Sequence, residues 1–316
     1  MGKRALGRTG LEVTPICLGC ASLGNMPETF AYSVPEADAR ATLLAFFSSP
    51  LNFVDTAAIY GYDAKAPNGF GESERRVGNV LRELGGLPAG FVLSTKCDRE
   101  PGTNRFDGDQ ARRSVEGSLA RLGLDRLHLV HLHDPEYCSW EEVTRPGGAL
   151  DVLRRYREQG VIEHLGLAGG PIDVMMRYLD LGGFEAVISH NRYTLLDRSA
   201  EPLIARCAAE GIAFLNAAPY GSGILAKGPS RYPRYMYKDA PAELVERAFQ
   251  AEAVCQRFGV ALAAAALQFS LRDPRVTSTI VGMTKPDRLK QTIELASAPI
   301  PDELWPELGV DSTPTP

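Results

Sequence analysis

Eight times along this chain a short run rich in apolar and β-branched residues is followed by a stretch whose apolar residues recur at helical spacing, and that alternation leaves few folds open. The runs lie at 15–19, 52–54, 91–96, 127–133, 161–168, 186–189, 212–217 and 276–281. Strands apolar on both faces are what a parallel sheet needs once helices cover it. The intervening stretches supply such helices. One opens at Pro35-Glu36-Ala37 and carries Leu43, Leu44 and Phe47; another, at 72–84, places Val77, Val80, Leu81 and Leu84 on one face. Val115, Leu119 and Leu122 mark a helix from Asp109, and Leu150, Leu153 and Tyr156 mark one that Gly160 can end. Later helices start at Pro171, surround Leu203, Ile204 and Cys207, run over 242–258 and 261–271, and open at Pro286. Residues 3–13 read as a hairpin around Gly7-Arg8-Thr9-Gly10 that can plug a barrel floor. The expectation is an α/β fold, a (β/α)8 TIM barrel with an N-terminal β-hairpin, as one domain over residues 1–316. A doubly wound sheet would place a Gly-x-Gly-x-x-Gly turn after its first strand; Leu18-Gly19-Cys20-Ala21-Ser22-Leu23-Gly24 lacks that spacing.

Composition narrows the function. A net charge of −5, from 34 basic and 39 acidic residues, offers no basic field for nucleic acid, and no run approaches the ~18 apolar residues of a membrane span. Met1-Gly2-Lys3-Arg4 leads into no apolar signal region, and the six cysteines sit mostly in apolar segments, so a cytoplasmic protein is expected. Cys17 and Cys20 form a Cys-x-x-Cys. Residues three apart on a strand face opposite ways and no second pair completes a zinc site, so a buried structural role is expected.

Three strands end in polar, reactive groups. Asp55 closes the second with Tyr60 just beyond it, Lys96 closes the third, and His133 closes the fourth. In a parallel barrel those ends share one mouth. The set Asp55, Tyr60-Gly61, Glu72-x-Glu74, Lys96 and His133 resembles the tetrad of the aldo-keto reductases, a likeness that runs from the hairpin to about Ala296. His131-Leu132-His133-Asp134-Pro135-Glu136 and Asn191-Arg192-Tyr193-Thr194-Leu195-Leu196-Asp197 resemble the branch of L-fucose and D-threo-aldose 1-dehydrogenases.

Chemistry supports those roles independently. Hydride transfer at a carbinol carbon needs a group that exchanges a proton with the substrate oxygen, and Tyr60 can be it if its pKa falls from about 10. Lys96 beside it would favour the phenolate, Asp55 would hold Lys96, and His133 would orient the substrate oxygen.

The resemblance implies an NAD(P)(H) cofactor and a small polar carbonyl or sugar substrate, with no nucleic acid or membrane partner. Where the family pattern has Ser-Asn after the fifth strand to hold the carboxamide, this chain has Ala168-Gly169; His190 replaces a glutamine, and Ala217 stands where an aromatic stacks on the nicotinamide. His190 and Asn216 are expected to substitute. Pro219, Gly221, Gly223 and Leu225 resemble the pyrophosphate loop, and Gly282, Met283, Thr284 and Arg288 the adenosine-binding stretch, where the helix start at Pro286 offers free N–H groups. Met26, Arg99, Phe106, Asp134, Trp140 and Tyr220 are the expected substrate contacts. Two rivals remain: an idle nicotinamide-sensing subunit, and a metal-dependent hydrolase using His131, His133, His190 and Lys96. No carboxylate ends the eighth strand, so no metal is expected and His131 is assigned to packing beneath the site.

Overall fold

The computed structural model describes residues 2–62 and 71–310. The chain opens with the antiparallel pair β1 (Arg4–Ala5) and β2 (Glu12–Val13), then enters β3 (Ile16–Gly19), α1 (Pro27–Phe30), α2 (Glu36–Phe47) and β4 (Phe53–Asp55). Next come α3 (Glu72–Glu83), β5 (Val92–Cys97), α4 (Gly108–Leu122), β6 (Leu127–His133), α5 (Trp140–Thr144), α6 (Ala149–Glu158) and β7 (Ile162–Gly169). They are followed by α7 (Ile172–Leu179), β8 (Ala186–His190), α8 (Glu201–Glu210), β9 (Ala213–Ala217), α9 (Ile224–Lys227) and the hairpin β10 (Arg234–Tyr235) and β11 (Lys238–Asp239). The last elements are α10 (Ala242–Arg257), α11 (Leu262–Leu271), β12 (Val276–Gly282), α12 (Pro286–Ser297) and α13 (Leu304–Glu307). Strands β3 through β9 and β12 close a parallel barrel in the order β12-β3-β4-β5-β6-β7-β8-β9, which is the (β/α)8 fold.

Two cores result. Inside the barrel, Cys17, Phe53, Val92, Leu129, Ile188, Leu215 and Ile280 pack with Leu6 and Val13 of the hairpin, which therefore plugs the floor. Between barrel and helices, Leu18, Val54, Leu93, Val130, Leu165 and Val187 meet the apolar faces of the helices. Each such side chain contributes about 1.5–3 kcal/mol by leaving water. Asn52 joins hairpin to barrel: its Oδ1 accepts from Thr14 N–H at 2.8 Å, and its Nδ2 donates to Glu12 O at 2.9 Å and Gly90 O at 2.8 Å. Cys17 and Cys20 are free, fully buried thiols.

The expected elements are present with small shifts and several additions. Helix α4 begins at Gly108 because Asp107 caps it, accepting from Gln110 N–H at 2.8 Å. The long segment after β6 folds α5, and the tyrosine-rich segment after β9 folds α9 and the β10–β11 hairpin. Much of the Gly- and Pro-containing loop after β4 lies outside the described residues. No single helix among those described is long and apolar enough to cross a membrane.

Helices α3 and α4 are joined by a buried carboxylate. Glu74 is fully buried, accepts from Thr95 Oγ1 at 2.5 Å and pairs with Arg121 Nε at 2.7 Å. The two helices approach so closely that a Cβ on Gly78 would lie 1.9 Å from the Arg121 carbonyl oxygen. Gly78→Ala is therefore expected to destabilise the fold by about 1–3 kcal/mol despite alanine's better helix propensity, read as a lower urea midpoint. An unchanged or raised midpoint would contradict this packing.

Candidate active site

The pairing of β4 with β5 sets Asp55 opposite Ser94, so Lys96 emerges two residues further along the same face. Ser94 Oγ donates to Asp55 Oδ1 at 2.9 Å, while Lys96 Nζ donates to Asp55 Oδ2 and to Thr56 O, each at 2.6 Å. Both charged side chains are almost wholly shielded from water, at 2 % and 4 % exposure. The ammonium also stands 4.7 Å from the centre of the Tyr60 ring. Tyr60 meets the His133 ring edge-on at 5.8 Å and 87°.

His133 is held by acids. Its Nδ1 lies 2.5 Å from Asp98 Oδ1 and its Nε2 3.5 Å from Asp134 Oδ1. Burial opposes protonation of the ring, but the carboxylates of Asp134 and Asp98 outweigh it and the net pKa is raised. Asp98 is itself fixed: Oδ2 accepts from Ile59 N–H at 2.9 Å, its N–H donates to Ser114 Oγ at 2.9 Å, and its carbonyl accepts from Gln110 Nε2 at 3.0 Å. The sequence reading missed Asp98. The available signal was its position two residues beyond Lys96, on the same face of an extended segment.

The Tyr60 expectation needs a correction of sign. Burial first, then the charges of Asp55, Tyr237, Asp134 and Asp98, push its phenol well above the ordinary value of 10.0, so this hydroxyl stays protonated. Lys96 does not reverse this, because its charge is already committed to Asp55. His131 occupies the layer below. Burial, Lys96 and His133 keep it neutral, and a Cβ on Gly166 would lie 2.1 Å from its Nδ1. Among the described residues no cluster of three or more His, Cys, Asp or Glu side chains is arranged to hold a metal.

Of the expected substrate contacts, Asp134 and Arg99 reach the mouth. Asp134 adopts a left-handed conformation at φ 44°, and Arg99 Nη1 stands 3.7 Å from its Oδ2 with the guanidinium stacked 4.6 Å above Tyr137. Met26, half-buried, precedes α1. Phe106 and Trp140 are drawn away from the mouth by their own packing. Phe106 is fully buried one position before the α4 cap, where an apolar residue staples onto the first helical turn. Trp140 packs on Tyr178 at 4.6 Å and beneath Arg177 at 3.7 Å, on the flank of α7. Tyr220 is half-buried against the outer core, and the cation acting on it is Arg288, on the cofactor side of the expected layout.

The chain as a whole is similar to known proteins. The model of the aldo/keto reductase family matches residues 15–309. The chain belongs to the aldo/keto reductase family. It is 32 % identical to pyridoxal 4-dehydrogenase of Microbacterium luteolum, with 97 % of this chain and 96 % of the relative aligned. It is 30 % identical to D-threo-aldose 1-dehydrogenase of a Pseudomonas species, with 96 % of each aligned. A solved aldo-keto reductase from Bacillus halodurans in its holo form has the same fold, with a TM-score of 0.75 over 98 % of this chain and 95 % of that one at 21 % identity.

On the cofactor side of this aldo-keto reductase, Ala168 and Gly169 end β7, and His190 ends β8 beside Asn191, whose Nδ2 is 3.1 Å from His190 Nδ1. Burial lowers the His190 pKa, so the ring is neutral. Asn216 must be withdrawn as a contact: Leu215 and Ala217 face the barrel interior, so Asn216 points outward and donates to Tyr193 O and Ser270 Oγ, each at 2.8 Å. The side chains of Leu225 and Met283 are core, which leaves their backbones alone to meet a ligand. Pro219 is buried, Gly282 and Arg288 are exposed, Thr284 is half-buried, and Gly221 and Gly223 have φ values of 57° and 124°.

Two further groups escaped the sequence reading. Glu136 reaches over the side-chain-free Gly169 and Gly170, accepting from Gly170 N–H at 2.9 Å through Oε1, while its buried Oε2 has no hydrogen-bond partner. Lys227 is held 3.8 Å over the Tyr232 ring, and burial together with Arg288 and Arg234 lowers its pKa. Neither lies on a periodic segment that would have exposed it. For the acid cluster, Asp98→Asn is expected to move the His133 imidazole titration to lower pH, since one of the two carboxylates that raise it loses its charge. Proton-detected NMR of the ring checks this, and an unmoved or upward-shifted titration contradicts the arrangement.

Proposed function

We propose that this aldo-keto reductase moves hydride between NAD(P)(H) and the carbonyl carbon of a small polar substrate, first of all an aldose in its cyclic hemiacetal form. The observation that carries this reading is the meeting of Asp55, Tyr60, Lys96 and His133 at one barrel mouth, with Lys96 Nζ 2.6 Å from Asp55 and 4.7 Å from the Tyr60 ring centre. The named relatives support the substrate class. Pyridoxal and aldoses both carry an aldehyde that closes onto a hydroxyl of the same molecule, and oxidation of the resulting hemiacetal gives a lactone.

In this reading Tyr60 exchanges the proton with the substrate oxygen. Asp98 holds Nδ1 of His133, which leaves Nε2 to donate to that same oxygen. The Lys96–Asp55 pair fixes the ammonium against the phenol ring and keeps water out of the space below it. Asp134 and Arg99 provide polar contacts for substrate hydroxyls at the rim. The bound nicotinamide supplies or accepts the hydride. The chain has groups that fit it: the unpartnered Oε2 of Glu136 and the ring of His190 can meet a carboxamide, Lys227 and Arg288 the phosphates, and the start of α12 offers free N–H groups. Free, buried cysteines suit a cytoplasmic enzyme.

Tyr60→Phe is expected to bind cofactor normally and lose turnover by about two to four decades, measured by nicotinamide absorbance across aldoses, pyridoxal and simple aldehydes. Near-normal turnover would remove Tyr60 from the chemistry. A raised phenol pKa also sets the pH dependence. Oxidation needs the deprotonated group, whose fraction grows with pH below the pKa, so oxidative kcat/KM rises from pH 7 towards 10 while the reductive rate does not.

For cofactor choice, Gly282 brings no side chain to a 2′-phosphate and Met283 is buried, while Lys285 lies 3.8 Å from Asp38 and exposed Arg288 bonds Gln291. NAD+ is therefore expected to be accepted, with selectivity for NADP+ no greater than about tenfold, roughly 1.4 kcal/mol. A thousandfold preference for NADP+ in steady-state constants would contradict it.

A further inference from the structure

The β10–β11 hairpin turns through two residues, because Tyr235 pairs with Lys238 and leaves Met236 and Tyr237 alone at the tip. Both have positive φ, 50° and 64°, a conformation that tight hairpins demand and that side chains other than glycine and asparagine resist. Tyr237 does not use the exposed position to reach solvent. Its ring is turned into the mouth, edge-on to Phe30 at 5.7 Å and 87°, and 6.4 Å from the His190 ring. It lies near enough to Tyr60 to act on that phenol's ionisation.

The tip is held there by other strained residues. Tyr237 N–H donates to Ser222 Oγ at 3.2 Å, and Ser222 Oγ donates to Asn191 Oδ1 at 3.0 Å. Asn191 and Ser222 also have positive φ, 59° and 64°. Tyr235 OH adds a bond to Asn191 O at 2.6 Å, and Arg234 Nη2 one to Tyr237 O at 2.5 Å. Four non-glycine residues in the left-handed region, linked to one another, are a cost the fold sustains to keep one aromatic ring in place.

We propose that Tyr237 is the platform against which the nicotinamide ring stacks. Its backbone is pinned on both sides and its ring is turned towards Phe30 and His190, so the residue offers the site a flat aromatic face, which suits a planar heteroaromatic ring better than a hydroxylated substrate. Hydrogen-bonding groups for such a substrate lie elsewhere at the mouth, on Asp134, Arg99 and His133. The end of β9 brings only the methyl groups of Ala217 and Ala218, which give a flat ring no stacking partner. This inference rests on the nicotinamide reading above, and the test separates the two.

Dissociation constants for NAD+ and for ADP-ribose, which lacks the nicotinamide, are measured by calorimetry on the full chain with Tyr237, Tyr237→Phe and Tyr237→Ala. Stacking of one ring predicts that Tyr237→Ala weakens NAD+ by about tenfold to a hundredfold, leaves ADP-ribose within about twofold, and that Tyr237→Phe retains most of the NAD+ affinity. Equal weakening of both ligands in Tyr237→Ala overturns the platform and makes the residue a structural support of the loop. Unchanged NAD+ affinity, with or without a raised substrate KM, overturns it as well. Failure of the unaltered protein to bind either ligand, or their 2′-phosphorylated forms, overturns the cofactor reading itself and the platform with it.

Discussion

The buried ion pair between Lys96 and Asp55 is the constraint on which the mouth depends. Removing two charges from water costs several kcal/mol each, and their attraction offsets this only when the remaining donors and acceptors are also satisfied. Here the Ser94 hydroxyl donates to the second oxygen of Asp55, and the Thr56 carbonyl accepts another ammonium proton. Breaking such a pair by deleting one partner costs about 3–5 kcal/mol. The pair therefore ties the end of β4 to the end of β5, next to the segment that carries Tyr60.

A second consequence concerns the distribution of charge. Asp55, Asp98 and Asp134 surround the mouth, with the Lys96 ammonium buried against Asp55 and Arg99 beside Asp134 at the rim. The neighbouring groups respond in opposite ways to that field. The imidazole of His133 gains from protonation and its pKa rises, while the phenol of Tyr60 resists losing its proton and its pKa rises too. Both arrangements keep hydrogen on the two groups that the proposed function assigns to the substrate oxygen. That is the protonation state that carbonyl reduction needs, and the reverse reaction must work against it.

Strand periodicity explains how much of this was legible in the sequence. Asp55, Lys96 and His133 sit at the ends of apolar runs, and parallel closure brings such ends together whatever the loops do. The family match then followed from the same residues. Readings failed where a residue's direction is decided by local packing. Asn216 was placed in the mouth although Leu215 and Ala217 own the inward face of β9. Phe106 was taken for a pocket wall, but as the residue before a helix cap it is drawn into the core. Trp140 opens a short helix that turns it onto Tyr178 of α7, a direction that its place in the loop after β6 does not display. The β10–β11 hairpin was invisible for another reason: Met236-Tyr237 lacks the Asn-Gly chemistry that announces a two-residue turn. The sign of the Tyr60 shift could not be read either, because burial, which the sequence does not display, leads it, followed by the charge of Asp55.

The most direct test of the central claim, direct hydride transfer at this mouth, is isotope tracing. Reduction of an aldose or aldehyde with cofactor carrying deuterium at C4 of the dihydronicotinamide, one face labelled at a time, is followed by mass spectrometry of the product. The account predicts one deuterium on the former carbonyl carbon from one labelled face and none from the other. Product that carries no deuterium from either face, or turnover that proceeds without any nicotinamide, would contradict it.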